Sequence, residues 1–172
     1  MTIKIYNLTQ QEIDDCAAYA SKIDVGHYSK RDNQKIEKTK RLQQFVGKSV
    51  EFGGQHYLIN TGHQNVSKPD CNVYPVGKKS FAHDLITSKN NIHVKGQSTD
   101  AARRYGASWL FENNDTHIFE SYQKNDAVMF VTADLYLQYD KVIKVTTEIK
   151  AIIPVVKLHQ YNSLFQLPQM EY

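Results

Sequence analysis

Apolar positions recur along this chain with two periods, one helical and one of two, and the change between them marks the expected elements. Residues 3–6 suit a short edge strand. Thr9-Gln10-Gln11-Glu12 is a capping box, in which the threonine and glutamate side chains satisfy each other's free backbone N–H groups. A helix should follow to about Ile23, with Ile13, Ala17, Ala20 and Ile23 near one face, and Val25-Gly26-His27 should end it. Leu42, Val46, Val50, Gly53 and Tyr57 recur at helical spacing and predict a helix over residues 38–60, capped by Gly62. Gly53-Gly54 lies inside that helix, where each glycine costs about 1 kcal/mol relative to alanine. Such a pair points to close approach of the helix backbone to a sheet. Residues 63–80 are polar, broken by Pro69 and Pro75, and read as loop.

From residue 81 the period becomes two. The stretch FAHDLITSKNNIHVKGQ, residues 81–97, is two short β-rich runs around the turn formers Ser88-Lys89-Asn90-Asn91. An even loop centred on Lys89 and Asn90 sets Asp84 opposite Lys95. Phe81, Leu85, Ile92 and Val94 then share an apolar face, and Asp84, His93, Lys95 and Gln97 a polar one. Further strands are expected at residues 107–111 and 117–121. The most apolar segment, AVMFVT after Asp126, should be a central strand. Tyr136, Tyr139, Val142, Val145, Ile149, Ile152, Val155 and Val156 suggest more helix or strand, with Pro154 excluded from a helix centre.

Composition narrows the class. With 172 residues and 41% hydrophobic content, the chain can build a proper core and is not a disordered polymer. The expected organisation is one domain over 1–172: a core at about 42–135, an N-terminal helix at 9–23 and a C-terminal extension at 136–172. No apolar run approaches the length of a membrane span, and MTIKIYNLTQQE lacks a signal-peptide core. These features predict a cytoplasmic, intracellular protein without a membrane partner. Two distant cysteines, Cys16 and Cys71, cannot specify a zinc site. No P-loop pattern appears, so no nucleotide cofactor is expected. The net charge of +3 permits a polyanionic partner. The cations cluster: Lys38, Lys40 and Arg41 close a charged run, Lys78 and Lys79 follow a loop, and Arg103-Arg104-Tyr105 form a compact basic-aromatic group beyond Gln97. All suit phosphate contacts, and all also suit a solvated surface.

A carboxylate across from a lysine can hold a hard cation while the ammonium steadies charge at phosphorus. The same spacing serves an ordinary cross-strand ion pair. Asp84 followed by His93-Val94-Lys95 resembles the core of the PD-(D/E)xK nuclease superfamily, the restriction-endonuclease-like fold. In that family an aspartate on one strand precedes an acidic-x-lysine triplet on the next. Gly47-Lys48-Ser49-Val50-Glu51-Phe52 looks like its first core helix, and residues 108–111 and 127–131 like its later strands. His93 departs from the pattern, since the family carries an acid there. Imidazole suits softer ions than magnesium, so Glu51 is the expected lender of a carboxylate. Asp70, in a literal Pro69-Asp70 pair, is the rival to Asp84.

The resemblance implies an α/β fold with a central mixed β-sheet flanked by α-helices. It implies a magnesium-dependent endonuclease, with manganese as a substitute metal, that cleaves DNA as a homodimer in restriction fashion. Asp84, Glu51, His93 and the Val94 carbonyl would hold the metal, and Lys95 would position or activate water. Lys38, Lys40, Arg41, Lys78, Lys79, Gln97, Arg103, Arg104 and Tyr105 would contact DNA. The alternatives are a structure-specific phage or repair nuclease, and a DNA-binding protein on the same scaffold whose chemistry was lost at His93.

Overall fold

The computed structural model describes residues 5–23, 37–74, 83–106, 109, 118–119, 122–139 and 141–164. In chain order these form β1 (Ile5–Asn7), α1 (Gln10–Lys22), α2 (Glu37–Asn60), β2 (Leu85–Ile86), β3 (Asn91–Ser98), α3 (Thr99–Tyr105), β4 (Ala127–Gln138), β5 (Lys141–Pro154) and α4 (Val155–Leu164). The strands make one curled sheet, a half-barrel, in the order β1-β5-β4-β3-β2. It is mixed: β3 and β4 run parallel, joined through α3, and the other neighbours are antiparallel. Register shifts at Phe130/Val131 and Tyr136/Leu137 interrupt the long β4–β5 ladder. Such irregularities increase twist, in keeping with the curl.

Local chemistry explains the helices. Thr9 caps α1 with the expected box: Glu12 N–H donates to Thr9 Oγ1 at 3.3 Å, and Thr9 N–H to Glu12 Oε2 at 2.8 Å. The buried face of α1 is Ile13, Cys16, Tyr19 and Ala20, while Ala17 points to solvent. α2 ends in a Schellman motif, with Gly62 at φ 84° and His63 N–H donating to the Leu58 carbonyl. Its glycines lie against the sheet as their position predicted. A Cβ on Gly53 would stand 2.6 Å from Thr147 Cβ, and one on Gly54 would stand 3.1 Å from Leu85 Cδ1 and from Met129 Sδ. Removing two side chains lets the helix axis sit close over β3, β4 and β5.

Two cores result. Ile13, Cys16, Val46, Val50 and Leu58 from the helices pack on Leu85, Ile92, Met129 and Val131. On the other face Val128, Phe130, Ile118 and Val155 are buried, with Trp109 against Phe130 at 5.1 Å between ring centroids. Ile118 and Phe119, expected in a strand, are helical. Leu42, expected on the buried face of α2, is 42% exposed, and Phe45 takes its place in the core. Phe81 and most of residues 107–121 lie outside the described residues. No helix among the described residues is long and apolar enough to cross a membrane.

Candidate functional site

The β2–β3 hairpin carries the proposed chemistry, with a register different from the expected one. Leu85 pairs with Ile92 and Ile86 with Asn91, so Asp84 stands opposite His93 and not Lys95. The cause is Thr87. Its hydroxyl accepts from the N–H groups of Lys89 (3.2 Å) and Asn90 (2.9 Å), which starts the turn one residue early. The shift moves each partner by two residues, so the sorting of faces survives.

Those faces are fixed by packing. Val94 Cγ2 approaches the Gly54 backbone, and Gly96 lies against Val50, so both residues face α2. Alternation turns His93, Lys95 and Gln97 to the opposite side, beside Val128, Phe130 and Thr132 of β4. Asp84 sits at a bend before β2, and its Oδ2 accepts from the Val94 N–H at 2.7 Å. The carboxylate therefore adjoins the middle residue of the His93-Val94-Lys95 triplet. The carbonyl of a strand residue points to the same edge as its N–H, so the Val94 carbonyl faces the β2 edge.

His93 is 6% exposed, and its ring lies 4.8 Å from that of His83. His83 Nε2 is 3.9 Å from Asp126 Oδ2. Asp126 is 2% exposed, and its carboxylate accepts from the N–H groups of Asn91 (3.1 Å) and Gln123 (2.8 Å). It ties the start of β3 to the approach to β4. This His83–His93–Asp126 group escaped the sequence reading. Its one signal was an acid at the head of the most apolar strand.

Glu51 is held in an ion pair whose ammonium also feels Asp84. It belongs to α2, on the side of the sheet away from Lys95, and Lys48 Nζ holds both its oxygens at 2.7 and 2.8 Å. Each of these side chains is 11% exposed, and Lys48 also stands 4.9 Å above the Tyr19 ring. Burial alone would lower the Lys48 pKa, but Glu51, with Tyr19 and Asp84 at longer range, holds it above the ordinary lysine value. Asp70, the rival aspartate, is exposed and accepts from Asn72 N–H, Asn72 Nδ2 and Tyr74 Oη. Burial would raise its pKa, and those bonds outweigh it and lower it. Asp70 is occupied in shaping its own turn.

The expected DNA contacts separate into groups. Lys40 is 5% exposed, so it offers no surface cation. Arg41 donates to the Ala20 carbonyl at 2.8 Å and to that of Ser21, closing the C-terminus of α1. Arg41 thus reaches α1 from the first turns of α2, and Lys40 beside it is buried. Lys78, Lys79 and the side chain of Lys38 lie outside the described residues. Gln97 is half-buried and donates to the Gly106 carbonyl at 3.4 Å. Arg103, Arg104 and Tyr105 are exposed on α3, Tyr105 at 74%.

Among the described residues no group of three or more His, Cys, Asp or Glu side chains is arranged to hold a metal ion. Magnesium asks for less, often one or two carboxylates with waters and substrate phosphate. Asp84 supplies one such carboxylate, and His93 would favour a softer ion. Compared with protein-family models, with curated proteins and with solved structures, the chain matches none.

Proposed function

We propose that the protein is a metal-dependent DNA endonuclease of the PD-(D/E)xK type. The observation that carries this reading is the 2.7 Å bond from Val94 N–H to Asp84 Oδ2, which joins the aspartate to the middle of the His93-Val94-Lys95 triplet. The chain order also suits it: a long helix, a hairpin, a short helix and a strand parallel to β3.

Asp84 and the Val94 carbonyl would hold magnesium. The ion would polarise the phosphate and acidify a bound water. Lys95 supplies a fixed positive charge for the oxygens that gain charge as phosphorus is attacked. His93 occupies the position beside Asp84 where the family carries an acid. Glu51 would serve as a further carboxylate only by exchanging its bonds to Lys48, whose ammonium also acts on Asp84. Two strands of a duplex need two sites, which a two-fold homodimer supplies.

A second reading, DNA binding without cleavage, is favoured by the burial of His93 and its contact with His83. Supercoiled plasmid incubated with magnesium or manganese separates the two. Asp84→Asn keeps an oxygen for the Val94 N–H while removing the charge. Lys95→Met removes only the ammonium. Each should slow cutting by on the order of a hundredfold or more. Retention of plasmid without cutting under either metal leaves the binding reading. Cutting that both variants preserve eliminates this site.

A further inference from the structure

The β4–β5 ladder runs past the core. Ala133 and Val145 are its last fully buried residues; beyond them Tyr136, Leu137 and Ile143 are 46%, 56% and 50% exposed. Tyr139 at the turn is 93% exposed and adopts φ +50°. That is a left-handed conformation which glycine or asparagine takes more readily than a tyrosine. An aromatic ring placed in water on a disfavoured backbone contributes nothing to the fold around it. Backbone outliers of this kind are grounds for a functional hypothesis.

The surroundings are basic. Lys144 pairs with Tyr136 across the ladder and holds its ammonium 5.2 Å above that ring. Lys141 is exposed at the turn. The last turn of α3 carries Arg103 and Arg104, followed by exposed Tyr105. This helix packs beside β4, where the acid Asp134 hydrogen-bonds the Tyr136 phenol and Arg103 is a weaker, opposing influence on it. A second acid, Asp100, is 3.5 Å from Arg103, but both side chains are more than two-thirds exposed, so water weakens the pair. A phosphate can replace it.

We propose that α3 and the β4–β5 arm form a strip that binds an unpaired polynucleotide strand. Arg103, Arg104 and Lys144 follow the backbone, and Tyr105 and Tyr139 stack on bases. The choice of this polyanion rests on the nuclease reading. A duplex hides its base faces and would ask only for cations; exposed rings between cations suit splayed bases. The strip also continues from the candidate site. Lys95 pairs with Phe130, and Tyr136 stands six residues further along the same strand, roughly 20 Å at the usual rise. The substrate class is then DNA or RNA with a single-stranded segment leading away from the cleavage point.

The test is binding by the full chain in EDTA, read by fluorescence anisotropy with labelled single-stranded DNA, single-stranded RNA and duplex. One of the single strands should bind more tightly than duplex at equal salt. Tyr139→Asn should weaken that binding at least about fivefold and leave its salt dependence unchanged. Asparagine suits the left-handed backbone, so this variant folds at least as well as its parent, which a melting curve verifies. Arg103→Ala with Arg104→Ala should lower both affinity and salt slope. The proposal is overturned if Tyr139→Asn binds within twofold of the parent, or if duplex binds as tightly as both single strands. It is also overturned if the protein binds anionic vesicles in place of oligonucleotides, or if Tyr139→Asn only dissolves a dimer. No metal is present, so binding by the strip without later cutting in magnesium defeats the nuclease reading alone. Cutting that is indifferent to the arm variants defeats the strip alone.

Discussion

Two glycines in one helix should respond to the same substitution with opposite signs. In Gly47→Ala, the new methyl meets nothing within 4 Å, so the variant should gain about 1 kcal/mol from helix propensity alone. In Gly53→Ala, the methyl falls 2.6 Å from Thr147 Cβ, where carbon atoms ordinarily keep about 3.5–4.0 Å apart. Thr147 has no exposed surface, and its hydroxyl donates to the Tyr6 carbonyl at 3.3 Å, so it has no room to turn away. Relief must come from lifting α2 off β5. Overpacking of this kind costs about 1–3 kcal/mol, and a shortfall near 1 Å belongs at the upper end. After the propensity gain, Gly53→Ala should lose about 2 kcal/mol, which puts the two variants about 3 kcal/mol apart. Urea unfolding followed by Trp109 fluorescence measures both, since that ring packs on Phe130 and should respond on unfolding. Adding Thr147→Ala to Gly53→Ala should recover much of the loss. Equal shifts of the same sign for both glycines would refute the claim that contact with β5 explains Gly53.

Lys48→Met should cost about 3–5 kcal/mol, because it strands the Glu51 carboxylate at 11% exposure; Lys48→Met with Glu51→Leu should recover most of it. The pair also has a pH signature. The folded-state pKa of Lys48 is raised, so its contribution is complete below the ordinary value of 10.5 and is lost as pH rises through the higher folded value. Alkaline unfolding should therefore be steeper in the parent than in the double variant. Burial pushes the Cys16 thiol up to about 12, so alkylation at neutral pH followed by mass spectrometry should leave Cys16 unmodified until the chain unfolds. Modification of native protein at Cys16 would contradict its burial.

Local signals were legible in the sequence wherever one residue type has one physical reason to be present. The Thr9–Glu12 box, the Gly62 cap and the close approach at Gly53-Gly54 all followed from backbone chemistry. The central strand followed from an apolar run buried on both faces. Less was legible where two elements decide together. The hairpin register depended on the Thr87 hydroxyl reaching two N–H groups, which turn composition alone does not reveal. Lys40 and Arg41 read as surface cations because the packing of α1 on α2 is a tertiary fact. Helix spacing places Glu51 on α2 but does not reveal that Lys48, about one turn earlier, takes both its oxygens.

One edge strand, β1, comes first among the described strands and gains its partner only with β5. Tyr6 lies opposite Thr147, and Leu8 N–H donates to the Val145 carbonyl. During synthesis, β1 emerges long before its hydrogen-bonding partner exists, and only the arrival of β5 supplies one. Pairings so distant along a chain form slowly, because a large loop must close before any contact rewards it. On the ribosome, α1 and α2 can associate early through their own contacts, while the first strand waits with its backbone in water for the last.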